Sequence, residues 1–350
     1  MKKLAIVLAA AGISMPISLV RGQDRIIYTD RAKKAEQLAT GAIEEETPAK
    51  IVYKVTAGRR EIAAADIIDI EYQVPGEARL EYRRALNQQK SADKAATEAE
   101  RTKLLNSAIS TYKATLKSLA SNKLAQRHVQ FKIAQLTAQL AGDESSERDA
   151  AIAALETFKK QHPNGWQIVA CCHWLARLQM QGQDYDGALK TYEDLAKTPN
   201  IAPEVQREAE LLSARALTRA KRYAEAQKRL QAALKSLPRD DPQVDRVQVY
   251  LAECQARTGQ FDVATKQLES IINKTTNNDL KALAYNTLGD CYLANERPRD
   301  AMWAYLWVDV VYHQDKQEHR KALEELAKIF ERFKDENRAK EYRERLQKAR

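Results

Sequence analysis

The chain has 350 residues, 30% of them charged and 44% hydrophobic, with 57 lysines and arginines against 48 aspartates and glutamates for a formal charge of +9. Both signs are interspersed along its length, which marks a solvated globular surface and not a charged tail. There is no basic block, no aromatic-glycine RNA motif and no Cys/His finger spacing, so nothing in the composition argues for nucleic acid as a partner.

Residues 1–23 place Lys2 and Lys3 ahead of a short apolar run, broken by Gly12, Ser14 and Pro16, with Val20-Arg21-Gly22 as a cleavage site. The pattern predicts a secretory signal peptide, because the run is too short to span a bilayer comfortably. An uncleaved N-terminal anchor is the alternative and is the one membrane attachment expected. No Cys follows the run to carry a lipid. Cleavage removes Lys2, Lys3 and Arg21, leaving a surplus of six cations on a mature chain expected in the periplasm or cell envelope.

Residues 24–73 change to β-branched and aromatic runs at 26–28, 42–44, 51–55 and 67–72, separated by Thr47-Pro48 and Ala57-Gly58. In the last run Ile68, Ile70 and Tyr72 alternate with Asp69 and Glu71, as in a half-buried strand. Four or five strands predict a small closed all-β domain of the SH3-like or Sm-like kind, too small to be stable without the helices that follow. Val74-Pro75-Gly76 ends it.

Helical periodicity then begins. Residues 77–89 carry Leu80, Tyr82, Ala85 and Leu86 on one side, and residues 104–119 a stripe of Leu105, Ala108, Ile109, Tyr112 and Leu116. Residues 90–101, rich in Ala, Lys and Glu, fit either a loop or a helical extension. A second hairpin spans 124–140 and 148–161, joined through 142–146. Residues 77–163 thus make irregular helical hairpins.

From residue 164 the phase becomes regular. Equivalent positions recur at Val169, Arg207, Asp245, Ala282 and Arg320, at spacings of 38, 38, 37 and 38. Small residues recur in the first helix of each unit, at Ala176, Ala214, Ala252, Gly289 and Ala327, and in the second, at Ala188, Ala226, Ala264, Ala301 and Ala339. An aromatic that closes the turn recurs at Tyr185, Tyr223 and Phe261, and the final hairpin, 320–347, is charged on its outer faces as a capping unit should be. Cys254 and Cys291 hold the same place in neighbouring units, where helices stand about 10 Å apart, beyond disulfide reach. With adjacent Cys171 and Cys172 they are expected to be buried packing residues. Trp303 and Trp307, at i, i+4, are expected in the core, with a peptide-binding patch as the alternative, and Trp166 and Trp174 are likewise expected to be packing residues.

This pattern resembles the tetratricopeptide repeat, and the whole is similar to exported bacterial proteins with a small β-domain ahead of such repeats. The resemblance implies a mainly α fold, a solenoid of helical hairpins over residues 77–350. It also implies a concave surface lined by the first helices. Consensus positions facing that groove are His173, Arg177 and Met180; Leu211, Arg215 and Arg219; Arg246, Val249, Glu253 and Arg257; Leu283, Asn286, Asp290 and Leu293. The groove is expected to be cationic from Arg177 to Arg257 and more apolar from Leu283 to Leu293, suiting a protein or acidic peptide. The alternative for these arginines is pairing with Glu208 and Glu253. A two-carboxylate clamp is disfavoured, since Leu212 stands where that motif needs Asn. Alternative roles are a structural, self-assembling envelope component and a binder of glycans or other polyanions.

No catalytic constellation is expected. His128, His162, His173, His313 and His319 form no helical i, i+4 metal pair, with His313 and His319 expected in a loop. Consecutive Cys171-Cys172-His173 point 100° apart on a helix, and no nucleophile elbow or phosphate loop occurs. Neither cofactor nor metal is expected.

Overall fold

The computed structural model describes residues 23–33, 35–141 and 145–348. The predicted signal peptide, save its last residue, therefore lies outside the described residues.

Five antiparallel strands open the described chain: β1 (Asp24–Asp30), β2 (Ala35–Glu46), β3 (Lys50–Val55), β4 (Gly58–Ala63) and β5 (Ile67–Glu71), in the order β4-β3-β2-β1-β5. The twelve-residue β2 serves both halves of the sheet. Its first half pairs with β1, and beyond Gly41 it pairs with β3 across a register shift between Ile43 and Glu45. Such an irregularity sharpens the local twist. β4 was not anticipated, because Arg59, Arg60 and Glu61 mask its alternation. β4 and β5 are the two ends of the sheet, and helices cover its apolar face. Ile26, Ile51, Ile62 and Ile70 share one core with Tyr82, Tyr112, Val129 and Trp166.

Those helices are α1 (Gly76–Ala92), α2 (Glu98–Thr115), α3 (Lys123–Leu140) and α4 (Ser145–Gln161). Residues 90–101 prove to be the end of α1, a turn, and the start of α2, where Thr97 accepts from the Glu100 amide at 3.2 Å. Leu80 differs from expectation: it is 76% exposed, and α1 buries Ala78, Tyr82, Ala85 and Leu86 instead.

A buried polar seam joins sheet to solenoid. Asp69 of β5 lies 2.8 Å from Lys132 Nζ and 3.0 Å from His128 Nε2, both on α3. Glu46 of β2 pairs with Arg127 and accepts from the Tyr72 hydroxyl at 2.5 Å, and that hydroxyl accepts from Trp166 Nε1 at 3.2 Å. The His128 ring stacks on Trp166 with centroids 5.8 Å apart. Burial works against the Asp69 charge, but Lys132 and His128 outweigh it and hold the carboxyl well below its ordinary range. Burial lowers the His128 pKa, keeping the imidazole neutral.

Five helix pairs complete the chain: α5 (Ile168–Gln181) with α6 (Tyr185–Ala196), α7 (Pro203–Arg219) with α8 (Tyr223–Ser236), α9 (Val244–Arg257) with α10 (Phe261–Lys274), α11 (Asn278–Ala294) with α12 (Pro298–Val310), and α13 (Lys316–Arg332) with α14 (Glu336–Lys348). All ten small-residue positions are buried. Each first helix ends on one residue in the left-handed region, Gln183, Lys221, Gly259, Glu296 or Lys334. The next amide then bonds back five residues, as Arg222 N to Leu217 O at 2.9 Å and Arg297 N to Tyr292 O at 2.9 Å. This is a Schellman ending, in which glycine is the favoured residue, yet only one of the five turns has it. The first helices also pack on one another, α7 on α9, α9 on α11 and α11 on α13, and so form the inner side of the curve.

All four cysteines are buried free thiols. His319 falls within α13, contrary to its expected place in a loop, and its Nε2 lies 2.9 Å from Asp309 Oδ1. Among the described residues no helix is long and apolar enough to cross a membrane, and no group of three or more His, Cys, Asp or Glu is placed to hold a metal ion.

Candidate functional site

The first helices α5, α7, α9, α11 and α13 carry the residues expected on the concave face. Amphipathic periodicity turns Leu175, Ala176, Leu217, Ala252 and Leu288 into the layer between helices, leaving the inner edge to longer polar side chains. Arg177, Arg219, Arg246 and Arg257 are exposed, and Arg215 is half-buried. Among the described residues none of these five guanidinium groups makes an ion pair. Two rest on aromatic faces: Arg177 lies 5.3 Å from the Trp174 ring centroid and Arg215 4.9 Å from that of Tyr250. Burial opposes the charge on Arg215, but Tyr250, Glu318 and Glu253 outweigh it and raise its pKa. Glu318 starts α13 and Glu253 lies on α9, so the curvature brings three repeats within electrostatic reach of one side chain.

Several expected contacts are placed otherwise. Leu211, Val249 and Leu283 are buried in the inter-helix core, and Met180 is packed against it. Leu293 is packed against the core of the last hairpin. Asn286 is fully buried and donates to the Glu318 backbone carbonyl at 2.9 Å and carboxylate at 2.7 Å. For Leu211, Val249, Leu283 and Asn286 the cause is common: inner helices in contact cover one another's facing positions, α9 against α7, α11 against α9 and α13 against α11. Asp290 is likewise engaged, accepting from the Tyr305 hydroxyl at 2.6 Å and pairing with Lys321 at 2.5 Å. Burial alone would raise the Asp290 pKa, but Lys321 more than reverses it, and Asp290 in turn raises that of Lys321 against burial. The face is thus open and guanidinium-bearing over α5–α9, and packed over α11–α13. His173 is half-buried against Tyr192, and burial lowers its pKa.

One feature was not anticipated, and another departs from the favoured reading. Asp309, 3% exposed in its side chain, is pinned by Arg345, with Nη1 at 3.0 Å, and by His319, tying α12 to the last hairpin. Trp303 and Trp307, expected in the core, are 62% and 48% exposed. The inward side of α12 is already filled by Ala301, Ala304, Tyr305 and Val308, which leaves the indoles on the outer face. Trp166 is buried and Trp174 half-buried, as expected.

Family models described as tetratricopeptide repeat match residues 173–200 and 217–284, which cover α5–α6 and the array from the end of α7 into α11. The chain carries tetratricopeptide repeats over these residues. Such repeats are in general interaction scaffolds without catalytic machinery, and the fold supports a protein-interaction role. Among solved structures it is similar to the apo form of RapI, with TM-score 0.50 and 16% identity over 77% of this chain and 74% of that one. A complex of NprR with its cognate peptide NprX gives TM-score 0.45 and 15% identity, covering 79% of each chain. At 16% identity the likeness to RapI is one of fold. A search of curated proteins returns no significant match.

Proposed function

We propose that this protein is an exported, non-catalytic scaffold that captures acidic protein segments on its concave face over α5–α9. The observation that carries the reading is the set of five first-helix arginines that make no ion pair among the described residues. An unpaired surface guanidinium offers a bidentate site that no internal pair must vacate, and clustered cations speed encounter with an acidic partner. The export part rests on the pattern of residues 1–23 and is tested by N-terminal sequencing of the natural protein.

The binding part is tested by fluorescence anisotropy with labelled peptides rich in Glu and Asp, alongside Gln/Asn and Lys analogues. Acidic peptides should bind with an affinity that falls as salt rises, because the contacts lie at solvent-exposed sites. The variant Arg177→Glu/Arg219→Glu/Arg257→Glu changes exposed side chains only and should lose this binding while its circular dichroism stays unchanged. Equal binding by both proteins, or no preference for the acidic series, would overturn the assignment.

A further inference from the structure

The repeat register makes the outer face of α12 stand out. Counting from the buried small residue of each second helix, Trp303 is two residues on, where α6, α8 and α10 have Lys190, Lys228 and Lys266. Trp307 is six residues on, where they have Asp194, Ala232 and Ser270, and Val310 is nine on, where they have Lys197, Lys235 and Asn273. The other repeats show that these positions face solvent: the three lysines matching Trp303 are exposed, and among the described residues none of them makes an ion pair. Only α12 replaces the solvated stripe with Trp303, Trp307 and Val310, continued by Val311, at 62%, 48%, 66% and 39% exposure.

The stripe is held ready. The Trp307 ring stacks on Tyr285 at 5.8 Å and lies 6.4 Å from Tyr312, and Lys281 stands 5.5 Å from the Tyr312 ring centroid. On α12 itself the carboxylates are engaged, Asp300 by Arg297 and Asp309 by Arg345 and His319. Arg299, one turn before Trp303, is exposed and without an ion pair among the described residues. The patch is therefore apolar at its centre, with Arg299 and Lys281 beside it and neither in an ion pair among the described residues.

We propose that the outer face of α12 docks on an anionic lipid surface, with Trp303, Trp307 and Val310 entering the headgroup boundary. Indole rings favour that boundary, and unpaired lysine and arginine at its edge are drawn to anionic headgroups. A second copy of the chain fits less well: two Trp and two Val at these exposures present roughly 400 Å², about half of what one side of a stable interface buries.

The test uses the full chain and vesicles of phosphatidylcholine, with or without roughly one-third phosphatidylglycerol, carrying bromine on the acyl chains to quench nearby indoles. Quenching on the anionic vesicles, weakened by salt, is expected. Trp303→Gln/Val310→Gln should weaken partitioning at least about tenfold, while Leu80→Gln, another exposed apolar residue, should not. Because residues 1–23 are common to all three proteins, the contrast between them isolates the stripe. No quenching, equal quenching on the neutral vesicles, or equal partitioning of the double variant would each overturn the proposal. A doubling of mass in sedimentation that the double variant abolishes would also overturn it, assigning the stripe to self-association.

Discussion

Replacing Lys132 by Met should unlock the β-sheet from the solenoid while leaving the repeats folded. Met keeps most of the buried volume, so the loss is chiefly electrostatic. Lys132 is 6% exposed in its side chain and Asp69 16%, and removal of the ammonium leaves Asp69 charged beneath α3 with the neutral His128 at 3.0 Å and the Ile70 amide at 2.8 Å but no cation. Breaking a buried pair from one side costs about 3–5 kcal/mol, and the residual solvation of Asp69 places this pair near the lower limit. About 3 kcal/mol corresponds to roughly a hundredfold increase in local opening. A global melt would blur the effect, since repeat arrays unfold in parts. Amide hydrogen exchange read by mass spectrometry on peptides from β5 and α3 is the suitable assay. Exchange there should accelerate roughly a hundredfold with α9–α12 unchanged, and adding Asp69→Asn should recover much of the loss. A change below about threefold, or a double variant no better than the single one, would refute the view that this pair locks the seam.

Acid should open the same seam in two stages. The His128 pKa is lowered by burial, so the unfolded state takes up the proton first and stability falls as pH drops below the ordinary histidine value of about 6.5; His128→Phe should remove this stage from the exchange profile. Asp69, lowered in the folded state, contributes fully above the ordinary carboxylate value, and that contribution is lost as pH falls through about 4 and below. Lys221→Gly should stabilise its repeat by about 0.5–1 kcal/mol, because Lys221 adopts a left-handed φ of 61° that suits glycine; slower exchange at the α7–α8 turn is the readout. Gly289→Ala should cost about 1–3 kcal/mol although Ala favours helix, since its Cβ would fall 2.6–2.8 Å from three atoms of the Tyr305 ring, itself held by Asp290. Urea unfolding followed by circular dichroism checks this, with Tyr305→Leu expected to recover part of the loss.

Much of the solenoid was legible because each repeat samples the same pattern again. Ala176, Ala214 and Ala252 need no tertiary information to be recognised once their spacing is seen, and the helices fall where the spacing puts them. The seam was not legible, since Asp69 and Lys132 lie 63 residues apart and no local signal links them. β4 was hidden by charge on both faces. The i, i+4 spacing of Trp303 and Trp307 is the same for a core stripe and an exposed one. What separates the two is the repeat register, in which Lys190, Lys228 and Lys266 already mark the position as solvent-facing. The exposure of arginines on the first helices was legible but the burial of Leu211 and Asn286 was not, because consensus position alone does not say how closely the next inner helix packs.

The inner face therefore has a direction. At one end the guanidinium groups of Arg177 and Arg215 are oriented by aromatic rings, which supply attraction without satisfying the fork of N–H donors. At the other end the buried charge of Asp290 is already neutralised by Lys321, and opening that pair would strand a carboxylate away from water. On the proposed reading, an acidic segment entering the groove would gain contacts over α5–α9 at little internal cost and would meet a hydrogen-bonded, ion-paired surface at α11–α13. The seam fixes the β-sheet at the open end of this gradient, on α1–α3. A segment long enough to run past α5 toward the N-terminus would be presented to the sheet and its flanking helices, while one running the other way would find its path ended by the Asp290–Lys321 pair.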